Sequence, residues 1–113
     1  PRLVGDARAR ALMMLGEPMS AEQAEAWGAI WKVCDDEALM AEAERLTAHL
    51  ATQPTFALGQ TKLLLNGSST TDLARQLDRE LDYQRACGAT PDYTEGVAAF
   101  TEKRTPRFTG RAK

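Results

Sequence analysis

The 113 residues are enough for one domain at most, and 43% hydrophobic with 27% charged residues is the balance of an ordinary soluble globular chain. A net charge of -2 gives no bulk attraction to nucleic acid, and no apolar run approaches the roughly 20 residues that cross a bilayer. One segment departs from this balance. Lys103, Arg104, Arg107, Arg111 and Lys113 place five positive charges and no negative one in the last eleven residues, leaving -7 on the rest. Such an end is either a solvated, mobile tail or a contact for phosphate groups.

In chain order the pattern is helical almost throughout. Residues 5–15 are rich in Ala, Leu, Met and Arg, all good helix formers, and Gly16 and Pro18 stop them. Ser20 with Gln23 forms a capping box for a short helix ending near Trp27 and Gly28. Residues 29–34 are apolar and partly β-branched, bounded by Gly28 and Asp35, and form the one strand candidate. Asp35 and Asp36 read as an N-cap pair for a helix whose apolar stripe is Leu39, Ala43, Leu46 and Leu50.

Pro54 suits the first turn of the next helix, which ends at Asn66-Gly67. The polar residues 68–71 are the expected source of the following N-cap. Residues 72–87 then carry Leu73, Leu77 and Leu81 as an expected buried stripe, with Gly88 as the stop. Thr90 caps a last helix with Pro91 at its first position and Tyr93, Val97 and Phe100 as its apolar face. Thr105-Pro106 ends it. The expected architecture is mainly α, about six helices and one short strand. A lone strand leaves backbone groups without partners, and the first residue is Pro1, so part of the molecule is expected to lie upstream.

Few residues suggest chemistry. Cys34 and Cys87 stand 53 positions apart without Cys or His at metal-ligand spacing, so no metal site is expected and both read as reduced thiols. His49 is the only histidine and has no adjacent nucleophile motif. From these residues alone, a helical interaction module without catalysis is the better reading.

The last third changes that reading. Asp92, then Glu95-Gly96-Val97 with Ala99-Phe100, then Glu102-Lys103-Arg104 with Pro106 and Phe108, resembles the C-terminal signature of the crotonase (enoyl-CoA hydratase/isomerase) superfamily. Further similar segments lie upstream in order: Pro1-Arg2-Leu3-Val4-Gly5 with Ala7, Arg8 and Ala9; Met19 to Ala24 with Trp27, Gly28 and Val33; and Thr61-Lys62. Gly28 to Trp31, Leu50 to Thr55, and Leu77 to Arg85 are similar to the epoxyphenylacetyl-CoA isomerase branch of phenylacetate degradation.

The resemblance implies that residues 1–113 are the helical C-terminal half of a crotonase-like (ClpP/crotonase) α/β spiral fold, with the spiral core absent. It implies an intact cytoplasmic enzyme acting on a coenzyme A thioester, without a further cofactor, nucleic acid or membrane partner, and assembled as a trimer or hexamer. Two backbone N–H groups would stabilise a thioester enolate while carboxylates move protons. Those groups belong to segments before the match to Pro1, so no catalytic residue is assigned here and the chain alone is expected to be inactive. Phe100 and Lys103 match positions that contact the CoA adenine and phosphate. Phe100 as a core residue and Lys103 as a merely solvated one remain the alternatives. Lys62 carries no derived role.

Overall fold

The computed structural model describes all 113 residues. Six α-helices follow one another: α1 (Asp6–Leu15), α2 (Ala21–Ala26), α3 (Leu39–Ala51), α4 (Thr55–Ser68), α5 (Leu73–Gly88) and α6 (Pro91–Glu102). A single 3-10 turn, Asp36–Ala38, leads into α3. The residues group into two compact units, Pro1–Glu42 and Ala43–Lys113.

In the first unit the expected stops and caps form. Gly16 closes α1 in the left-handed region (φ 67°), donating its N–H to the Leu12 carbonyl. The Ser20 hydroxyl accepts from the Gln23 amide at 3.1 Å, a contact worth about 1 kcal/mol to a short helix. Asp6 and Arg10 pair across one turn of α1 at 2.7 Å. Ala9 and Ala24 are buried, and the Arg8 guanidinium lies 5.1 Å from the Trp27 ring centroid.

The expected strand at residues 29–34 does not form; the segment is turn and irregular backbone. Three of its amides find local partners instead. Ala29 N–H donates to the Ala24 carbonyl at 2.8 Å, and Val33 N–H donates to the Glu25 carboxylate at 2.9 Å. An apolar β-branched run becomes a strand only beside another edge, and no such edge exists in these residues. Asp35 takes the N-cap position of the 3-10 turn but its side chain makes no cap bond, so only its place, not its chemistry, matches the expected cap pair.

In the second unit α5 packs against α4 and α6. α4 begins after Pro54 and runs through Gly67 to Ser68, one residue past the expected stop. Asp72, not the Ser/Thr run, caps α5 by accepting from the Arg75 amide at 2.9 Å. The Thr70 and Thr71 hydroxyls turn back onto the Gly67 carbonyl and are thereby spent on the end of α4.

The stripe Leu73, Leu77 and Leu81 is not buried: the three residues are 75%, 55% and 46% exposed. Leu39 and Leu50 of α3 are exposed as well. The helical period identifies a face that repels water, but cover must come from elsewhere, and α4 and α6 do not supply it. The buried apolar residues are Ala9, Ala24 and Ala99 alone, with no large side chain fully enclosed. No helix is long and apolar enough to cross a membrane.

Candidate functional site

The site residues expected from sequence, Phe100 and Lys103, both lie at the C-terminal end of α6. That helix starts as its sequence dictates. Thr90 Oγ1 accepts from the Tyr93 amide at 3.2 Å and donates to the Cys87 carbonyl at 2.7 Å, joining the end of α5 to the start of α6. Pro91 occupies the first turn, where its missing N–H costs nothing.

The helix ends in an unusual way. Lys103 N–H bonds to the Phe100 carbonyl (3.3 Å) and Arg104 N–H to the Ala99 carbonyl (3.0 Å). This pair is a Schellman closure, whose left-handed position normally belongs to glycine. Here Lys103 holds it, with φ 55° and ψ 40°, as the only non-glycine residue with positive φ. An L side chain there costs about 1 kcal/mol. Its ammonium, at the negative end of the helix dipole, pairs with no carboxylate of the chain. Phe100 is 87% exposed, so the core alternative for it is not realised in these residues.

The tail beyond Lys103 is tied back to α6 as far as Gly110. Arg104 forks onto Glu95, with Nη1 to Oε1 at 2.6 Å and Nη2 to Oε2 at 2.9 Å, and its Nε reaches Glu102 at 2.6 Å. Glu95 Oε1 also accepts from the Arg107 amide at 2.7 Å. These contacts hold the Glu95 carboxyl down at about 2, the Arg104 hydrogen bonds being the largest cause and the Arg107 amide the next. The same carboxylates push the Arg104 guanidinium upward.

Asp92, buried in the first turn of α6, receives the end of the tail. Its Oδ1 accepts from the Thr109 amide (2.7 Å) and hydroxyl (3.1 Å), and its Oδ2 from the Gly110 amide (2.7 Å). The Thr109 amide is the main reason that its pKa is lowered, against the opposing effects of burial and the Glu95 charge. Gly110 (φ 71°) lies so close to Thr55 at the start of α4 that no Cβ would fit.

Tyr93, Gly96, Val97 and Phe100 of α6, with Phe108 from the tail and Pro54, Ala57 and Cys87 opposite, line an apolar groove of about 380 Å³. Phe108 crosses over Gly96, where a Cβ would stand 3.6 Å from its ring. The groove is apolar and Phe100 lines it with an exposed ring, while the Lys103 ammonium at the end of the same helix has no carboxylate partner. Asp92 and Glu95 are consumed by the tail, and no cluster of His, Cys, Asp or Glu could hold a metal ion. Cys34 and Cys87 are free and half-buried. His49 sits exposed in the last turn of α3, and Lys62 is exposed on α4.

Sequence reasoning named Phe100 and Lys103 as candidates and gave no role to Asp92, Glu95 or Arg104. Apart from the Arg104–Glu102 contact, their partners lie nine to eighteen residues away across a chain reversal, where no helical or strand period applies.

The family described as enoyl-CoA hydratase/isomerase matches residues 1–111. The 1,2-epoxyphenylacetyl-CoA isomerase of Escherichia coli K12 is 55% identical over 111 residues, which cover 98% of this chain and 42% of that protein. A trans-2-decenoyl-acyl-carrier-protein isomerase of Streptococcus mutans is 36% identical over 110 residues, 97% of this chain and 42% of its own. Among solved structures, an enoyl-CoA hydratase from Polaromonas sp. JS666 superposes with a TM-score of 0.88 at 33% identity, covering 96% of this chain and 42% of that one. The chain thus spans about two fifths of the length of these relatives. With a family match over nearly every residue and the same helical arrangement in a solved hydratase, this chain belongs to the enoyl-CoA hydratase/isomerase (crotonase) family.

Proposed function

We propose that this chain is the helical C-terminal part of an acyl-CoA isomerase acting through an oxyanion-stabilised thioester enolate, with a ring-epoxide phenylacetyl-CoA as substrate. The observation that carries this reading is the 55% identity to a 1,2-epoxyphenylacetyl-CoA isomerase across nearly the whole chain. The C-terminal placement rests on the order of the sequence segments and on the signature from Asp92 to Phe108.

Within the intact enzyme these residues cover the acyl pocket, supply Phe100 and Lys103 to the CoA site, and build a trimer or hexamer. The largely uncovered leucine stripes support a piece that docks on further protein. They argue against a closed, stand-alone helical module, which would bury its stripes within itself. The catalytic carboxylates and oxyanion donors are assigned to the remaining three fifths, so residues 1–113 alone turn over no thioester.

A general enoyl-CoA hydratase is the second reading, favoured by the likeness to a solved enoyl-CoA hydratase. Steady-state assays of the full-length enzyme with ring-epoxide phenylacetyl-CoA and with trans-enoyl-CoA separate the two. A kcat/KM for the epoxide at least tenfold above that for the enoyl thioester is expected, and the reverse order would reject the isomerase. Lys103→Ala should raise KM for the thioester more than it lowers kcat; an unchanged KM would reject its role in CoA binding.

A further inference from the structure

Lys103 is an anomaly in need of a cause. A left-handed closure that glycine would satisfy without strain carries instead a long cationic side chain. Such a conformation persists only where neighbouring contacts over-determine it. Here they do: the residue directly after Lys103 is forked onto Glu95, and the next reversal of the chain donates its Arg107 amide to that same carboxylate. One side chain on the second turn of α6 therefore fixes the path of the backbone on the far side of Lys103. Three donors occupy the Glu95 carboxylate, two on Oε1 and one on Oε2, so its main contacts are with the chain's own tail.

We propose that Glu95 is a positioning residue for the CoA phosphate contact, acting through Arg104 and the Arg107 amide to hold Lys103 in its left-handed turn beside Phe100. This rests on the reading of Lys103 as a phosphate contact. The geometry explains why a carboxylate is required and not merely a polar group. Both guanidinium nitrogens and one backbone amide are met by two oxygens, and an amide side chain offers one oxygen for those three donors.

The test is a double-mutant cycle in the full-length enzyme, read as KM and kcat for a CoA thioester. Lys103→Ala is expected to raise KM up to about fivefold, the range of an exposed charge contact. Glu95→Gln should raise KM by a similar factor with little loss of kcat, and should add less than about twofold in the Lys103→Ala background. Glu95→Asp, which keeps the charge, should recover part of the affinity. An equal effect of Glu95→Gln in both backgrounds, or none in the native one, would overturn the positioning role while leaving Lys103 in place. No effect of Lys103→Ala would instead overturn the reading on which the proposal stands. Circular dichroism of each variant excludes misfolding; should Glu95→Gln misfold, Arg104→Ala removes the same fork from its other side, and a native KM in that variant overturns the proposal.

Discussion

Replacing Lys103 by glycine separates what the turn needs from what the side chain does. At φ 55° and ψ 40° the Cβ of any L residue crowds the backbone, at about 1–2 kcal/mol. Glycine removes that term but loses more backbone freedom on folding, which takes back about 0.4–1 kcal/mol. The net gain for Lys103→Gly is about 0.8 kcal/mol at the centre of those two ranges. Lys103→Ala keeps the Cβ and gains nothing, so the two substitutions lose the same ammonium yet differ in stability. Urea unfolding of the full-length protein at constant m reads the difference, and the corresponding Tm shift is about 1–4 °C. Both variants should lose affinity for a CoA thioester alike. A glycine variant no more stable than the alanine variant would refute the assignment of strain to Lys103.

Three further outcomes follow from the same unit. Thr90→Ala removes the hydroxyl that accepts from Tyr93 and donates to Cys87, and should destabilise by about 1 kcal/mol in urea unfolding, with Thr90→Ser close to native. Gly110→Ala meets both a positive φ and the Thr55 side chain, and should cost about 1–3 kcal/mol and speed hydrogen exchange at the Thr109 and Gly110 amides. Glu95 has a folded pKa of about 2 against 4.5 unfolded, so its contribution to stability is complete above about pH 4.5 and is lost as the pH falls through about 2. Asp92 is depressed as well and acts in the same direction. Acid titration of stability should therefore flatten in Glu95→Gln between those limits; an identical acid limb would reject the Glu95 contacts.

Local chemistry let the sequence specify most of the helices by itself. Gly16, Ser20, Thr90 and Pro91 act through their own backbone and the next turn, so their roles are readable without neighbours. The signature around Phe100 and Lys103 was equally legible and placed the chain in its family. What failed depended on distance. The apolar run at residues 29–34 carries strand propensity, but a strand is a property of two segments, and the Ala24 carbonyl and Glu25 carboxylate take its amides instead. The leucine stripe of α5 was correctly located as a face, while its exposure depends on what packs there. The carboxylate fastening of the tail was invisible because Asp92 and Glu95 entered only as letters of the family signature, and only the folded path brings Thr109, Gly110, Arg107 and Arg104 back onto them. Sequence alone determined most of the helices, the caps at Ser20 and Thr90 and the family; tertiary structure decided the tail's path and the strained turn at Lys103, because both arise from contacts between residues that no local period relates.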